Sequence, residues 1–185
     1  MTLSLIMGNT NLPFDSLYLS APIVQNALSD NTETEGTFTA TFAAGGAPPD
    51  VIAYWISQWD SPWQSPWPTG DITLEIDLNS GSVGVNGYFK VYRFDAAGNF
   101  KQSVGYSSAI SLRTAGTKSH TFSSVAWTAG TTNYGDRIVI ELKISSTSSS
   151  YREVTIGMGT TNSQAIFSGL TQGAPGQQAM MGIAV

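Results

Sequence analysis

The chain predicts an all-β fold, an antiparallel β-sandwich of jelly-roll type with an extended arm at each end. Three observations carry that prediction. The first is Trp67-Pro-Thr-Gly-Asp-Ile-Thr-Leu-Glu-Ile-Asp-Leu78, where Ile72, Leu74, Ile76 and Leu78 alternate with Thr73, Glu75 and Asp77. Period-two alternation of this kind marks a half-buried strand. The second is an echo further on. Trp127-Thr-Ala-Gly130 leads into a segment whose Ile138, Ile140, Leu142 and Ile144 share one face. Two such strands can face each other across a sandwich core. The third is rhythm: about nine or ten short strands, turn signals roughly every 8–12 residues, no long helix and no solenoid repeat.

Composition bounds the answer. At 185 residues the chain is one domain, or one domain with arms. Hydrophobic residues make up 41%, enough for a core, while charged residues are only 11%, less than half the usual share. The polar surface is built instead from 23 Ser, 20 Thr and 19 Gly. Five Trp, seven Tyr and eight Phe argue for a folded chain, because disordered chains are poor in aromatics. The net charge is −5, and the eight Lys and Arg are scattered singly. Duplex nucleic acid is therefore excluded as a partner, since phosphate neutralisation needs clustered cations. With no cysteine there is neither a disulfide nor a thiolate metal site. No apolar run approaches membrane-spanning length. The N-terminus lacks the basic segment and long apolar run of a signal peptide. The expectation is synthesis in a host cytoplasm, with release by lysis inside an assembled particle as one route out.

The elements follow in order. Residues 1–35 read as an arm, to which Leu12-Pro-Phe-Asp15 and Ser16-Leu-Tyr-Leu-Ser20 could add one short strand. An arm this apolar packs on its own body or on a neighbouring subunit, and the sequence leaves both open. The sandwich body is expected over 36–168. Thr37-Phe-Thr-Ala-Thr-Phe42 is a strand with Phe38 and Phe42 inward, and Gly45-Gly-Ala-Pro-Pro-Asp50 is a turn. Val51-Ile-Ala-Tyr-Trp-Ile56 is compatible with a strand buried on both faces or with a short helix. Trp55, Trp59, Trp63 and Trp67 recur at a helical spacing, but Pro62, Pro66 and Pro68 forbid a helix. That stretch reads as a loop, with Trp55 and Trp67 as core plugs. Gly87–Phe94 is the longest strand, Asp95–Asn99 a hairpin turn, and strands follow at 100–104, 109–113, 119–125, 137–144, 152–157 and 164–168. Residues 169–185 form a second arm. Its Gly and Pro resist regular structure, and its tip carries Met180, Met181, Ile183 and Val185. An apolar tip of this kind should dock somewhere.

Candidate chemistry is sparse. Glu75 and Asp77 project from one strand face, and retaining glycosidases pair carboxylates about 5 Å apart. Glu75-Ile-Asp77 resembles the first half of the laminarinase-type glycoside hydrolase motif. The second Glu is missing, since Leu78, Asn79 and Ser80 follow, so these read as solvated strand residues. His120 is the single histidine, with no nucleophile elbow around any serine, and reads as a surface strand residue. Asp95, Asn99 and Asp136 could offer oxygens to calcium, but Asp-x-x-Gly-Asn is also what a hairpin turn uses for its own hydrogen bonds. No cofactor, no metal and no enzyme activity are expected. Trp59 and Trp63 suit an interface. Together with Tyr54 they would instead form a sugar-stacking platform.

From Trp67 to Gly157 the chain resembles small virion proteins of phages and prophages. The shared pattern is Trp67 with Gly70 before an amphipathic strand, Arg93-Phe-Asp95 with Gly98 at a hairpin, Trp127 with Gly130, and Asp136-Arg137 before a second strand. The resemblance covers about half the chain and implies a jelly-roll decoration (cement) or appendage protein of a tailed phage. Such proteins are commonly trimers whose arms clamp neighbouring capsid subunits. On that reading the partners are the major capsid protein and further copies of the chain in a homotrimer, on the capsid surface. No nucleic acid or membrane is involved. The expected contacts are Leu3, Leu5, Ile6, Phe14 and Leu17 in the first arm, Trp59 and Trp63 in the loop, and Met180, Met181 and Ile183 in the second arm. The other function class is a glycan-binding module of a tail fibre or a carbohydrate-active enzyme, with Tyr54, Trp59 and Trp63 as its platform.

Overall fold

In the computed structural model of the chain the described residues are 2–11, 24–29, 35–45, 50–57, 69–95, 99–127, 136–159 and 162–168. They contain twelve strands and no helix. The expected all-β sandwich is what they form, two sheets packed against each other over one apolar core.

The first sheet is organised on β5 (Gly70–Ser80), whose burial alternates as the sequence demands. Ile72, Leu74, Ile76 and Leu78 are buried, while Thr73, Glu75 and Asp77 face out. One edge of β5 carries β9 (Gly116–Val125). The other edge carries two strands end to end, β12 (Gln164–Ser168) against 72–75 and β11 (Arg152–Met158) against 77–80. Ser163, fully buried, closes the gap between them. Its Oγ accepts from the Asp77 N–H at 2.9 Å and donates to the Gly157 carbonyl at 2.5 Å. A side chain thus replaces the ladder bonds that the strand break removes. Outside β11 lies β3 (Gly36–Phe42), in unbroken register over seven residue pairs. At the start of β5, a Cβ on Gly70 would stand 2.1 Å from the Ser168 carbonyl oxygen. Only glycine permits that approach.

The second sheet is centred on β10 (Arg137–Ser146), flanked by β4 (Val51–Ser57) and β6 (Val85–Phe94). The ambiguous apolar run at 51–56 is therefore a strand. Beyond β6 lie β7 (Phe100–Val104) and the two-residue β8 (Ile110–Ser111). Ile138, Ile140, Leu142 and Ile144 of β10 join Ile72, Leu74, Ile76 and Leu78 of β5 in one core with Trp55, Phe89, Val91, Trp127 and Phe167. The two amphipathic strands thus meet across that core.

The sequence leaves open where the first 35 residues pack. Two strands lie in that segment, and both are built into the sandwich. Strand β1 (Thr2–Asn11) pairs antiparallel with β12 on one edge and with β2 (Val24–Ser29) on the other. Strand β2 then pairs parallel with β4, so these strands join the two sheets. The stretches 12–15 and 16–20 lie outside the described residues, as does the arm at 169–185.

Candidate functional site

The chemistry-bearing groups that the sequence singles out are engaged locally. Glu75 accepts from Gln164 Nε2 at 2.8 Å. His120 sits edge-on to Phe122 with ring centroids 4.7 Å apart, on the core-facing side of β9 rather than its open face. Asp95 behaves as a turn residue. It accepts from the Asn99 N–H at 2.8 Å and pairs with Lys101 at 2.9 Å. Those contacts, Lys101 first, hold its carboxyl well below the usual carboxylate range. Asp136 is buried against Arg93 at 3.2 Å. Asp95 and Asp136 thus serve separate structural roles. Several residues that carry the phage-protein resemblance are therefore parts of the scaffold: Gly70, Arg93, Asp95, Trp127 and Asp136. Among the described residues no three His, Cys, Asp or Glu gather as a metal would require.

A cluster that shares only Tyr54 with the sequence-based candidates stands on the outward face of the second sheet. Along β6, Tyr88, Lys90 and Tyr92 alternate with the buried Phe89 and Val91; along β10, Glu141 and Lys143 alternate with Ile140, Leu142 and Ile144. Registration places Glu141 directly between Tyr54 of β4 and Lys90 of β6, and Lys143 opposite Tyr88. Tyr106 follows β7. Its neighbour Ser107 holds the segment to β6, donating its N–H to the Phe89 carbonyl at 2.8 Å and accepting the Phe89 N–H at 2.9 Å.

Glu141 is only 2% exposed although it lies on an outer face. Its oxygens accept hydrogen bonds from the Tyr92 hydroxyl at 2.5 Å and from the Tyr106 hydroxyl. Burying a carboxylate is tolerated when charged hydrogen bonds replace its water. The same geometry pushes the hydroxyls of Tyr54, Tyr92 and Tyr106 well above the ordinary phenol range. Burial is the largest cause, followed by the charge and hydrogen bonding of Glu141. All three stay protonated as donors. With both oxygens occupied, Glu141 is a clamp rather than an open base.

Above the clamp the rings and cations alternate. Lys143 Nζ lies 5.1 Å from the Tyr88 centroid and 4.6 Å from that of Tyr106. Lys90 Nζ lies 4.9 Å from Tyr106 and 4.7 Å from Tyr92. These are cation–π distances. Phe100 extends the aromatic stripe, edge-on to Tyr92 and Phe94 at 6.5 and 6.0 Å. Tyr106 and Phe100 are 45% and 57% exposed, so the stripe has an open surface. Asp50 lies 3.8 Å from Lys143 at its border.

Of the residues named from sequence, Tyr54 is in this cluster but is 3% exposed, its ring packed with Phe94 and Val139. Leu3, Leu5 and Ile6 fall in β1, opposite Phe167, Ala165 and Gln164 of β12. Phe14, Leu17, Trp59, Trp63, Met180, Met181 and Ile183 lie outside the described residues.

No family model and no curated protein matches the chain. Solved structures resemble it weakly, among them the following three. A CocE/NonD family hydrolase from Staphylococcus aureus is 10% identical with a TM-score of 0.40, over 90% of this chain and 36% of that one. The VP2 subviral particle of infectious bursal disease virus is 17% identical at a TM-score of 0.40, over 84% and 37%. The Gx strain of the same virus is 16% identical at 0.41, over 88% and 37%. The chain thus spans little more than a third of each of these proteins.

Proposed function

We propose that this chain is a structural virion protein, a decoration (cement) protein of a tailed-phage head, which acts by binding and carries no catalytic activity. The observation that supports this reading best is the open aromatic stripe Phe100–Tyr92–Tyr106–Tyr88 on the second sheet. Exposed, pre-positioned aromatic rings are what interface cores are made of. The Glu141 clamp fixes the ring of Tyr106 before any partner arrives, which lowers the ordering cost of association.

The partners on this reading are the major capsid protein and further copies of the chain in a homotrimer. The proposed capsid contacts are the stripe, Leu3, Leu5 and Ile6 of β1, Trp59 and Trp63, and the 169–185 arm with Met180, Met181 and Ile183. Co-sedimentation with heads of the virus that encodes the chain tests this. Tyr106→Ser with Phe100→Ser should weaken attachment at least ~10-fold, or about 1.4 kcal/mol. Deleting residues 170–185 should weaken it with the melting temperature unchanged. Full attachment by both variants would remove the reading.

The same face supports a second reading, a glycan-binding module, because Tyr88 and Tyr106 lie beside Lys90, Lys143 and Asp50 as hydrogen-bonding groups. Calorimetric titration with neutral and acidic oligosaccharides separates the two. Heat that disappears in Tyr106→Ala would favour the glycan module.

A further inference from the structure

The described sheet edges are not alike, and one of them lacks the devices that keep sheets apart. An open edge offers a row of unpaired N–H and C=O groups, and proteins blunt such edges with charges, bulges or short strands. Strand β9 turns Lys118 and His120 toward the core side, and it bulges near its end, where Ser124 has a φ of 52°. Strand β7 is five residues long, shifts register against β6 and carries Lys101. Strand β3 has none of this. Gly36-Thr-Phe-Thr-Ala-Thr-Phe42 holds no charge and no proline, runs in unshifted register with β11, and has no strand on its other edge among the described residues.

Its residues 38–42, Phe-Thr-Ala-Thr-Phe, also read the same in both directions about Ala40. An antiparallel copy centred there sets Ala40 opposite Ala40, Thr39 opposite Thr41 and Phe38 opposite Phe42, with Thr37 and Gly36 opposite Ala43 and Ala44 just past the strand end. Opposite residues of an antiparallel pair project from the same face. Phe38, Ala40 and Phe42 belong to the core, whereas Thr37, Thr39 and Thr41 are exposed. A two-fold pairing would therefore join core positions to core positions and set the hydroxyls of Thr39 and Thr41 opposite each other, with no like charges opposed.

We infer that β3 is a self-association edge: it pairs antiparallel with β3 of a second copy, across a two-fold axis at Ala40, and makes the first sheet continuous through both chains. The contact is isologous, each chain offering the same strand. It rests on the fold alone and holds whether the chain decorates a capsid or binds glycans. Within a trimer it would link neighbouring trimers.

Light scattering on the intact chain over a concentration series tests it with two double substitutions. Thr39 and Thr41 are exposed, so neither variant disturbs the core, and equal melting temperatures at low concentration confirm this. T39K/T41K sets Lys opposite Lys twice; T39K/T41E sets Lys opposite Glu twice. The wild type should show a mass doubling with concentration, T39K/T41K should lose it, and T39K/T41E should regain it in low salt and weaken in high salt. No doubling in the wild type, a doubling that survives T39K/T41K, or a T39K/T41E variant no better than T39K/T41K would each overturn the pairing.

Discussion

Glu141 and its phenols give the molecule a pH dependence whose sign is fixed by burial. The hydroxyls of Tyr54, Tyr92 and Tyr106 are held protonated, above the ordinary phenol value near 10. Below pH 10 the folded and unfolded chains carry the same protons there, and the contribution is fully present. As pH rises past 10 the unfolded chain ionises first, so stability falls. Absorbance at 295 nm should show these three of the seven tyrosines titrating only as the fold opens. Smooth titration of all seven near pH 10 in folded protein would contradict the clamp. Arg93 and Asp136 present a different residue-scale case, an ion pair whose side chains are each 1% exposed. Breaking it one-sidedly leaves a buried charge, so Asp136→Ala should cost ~3–5 kcal/mol in a denaturant titration, whereas Arg93→Met with Asp136→Leu should recover most of it.

At the scale of elements, the most informative device is the break between β11 and β12, spanned by one serine. Ser163→Ala leaves the Asp77 N–H without its acceptor and the Gly157 carbonyl without its donor. The expected cost is ~1–3 kcal/mol, read as a lower urea midpoint with faster amide exchange at Asp77. An unchanged midpoint would mean that β5 holds both strands without the bridge. Nothing in the sequence marks Ser163 among 23 serines, because its role depends on two strands ending at one point on β5. Strands β5 and β10, in contrast, are legible because their alternation is local. The stripe lies between these cases. Tyr88, Lys90, Tyr92, Glu141 and Lys143 already occupy outward positions in alternating runs. What the sequence lacks is the register that brings β4, β10 and β6 side by side, and the Ser107 anchor that lays Tyr106 across them.

On the scale of the whole molecule, the two chain ends are alike in composition, and the first has a role that composition hides. Both are apolar and short of helix signals, and both read as arms. Yet β1 fills the sheet between β12 and β2, and β2 continues to β4, so these two strands form the join between two sheets. Their partners are far away in sequence: Leu3 lies opposite Phe167, and Val24 opposite Ala53. Pairing over such distances leaves no local pattern to read. Removing residues 1–11 would strip β12 of its neighbour and open the edge that carries the buried Ala165 and Phe167. At ~2–4 °C per kcal/mol for a domain of this size, the loss should lower the melting temperature by more than about 10 °C or abolish the cooperative transition. Removal of 170–185 should leave it where it is. A calorimetric scan of the two truncations beside the intact chain checks both. If the first truncation melts like the intact protein, the sandwich does not depend on β1, and residues 1–35 regain the character of an arm free to reach a neighbouring subunit.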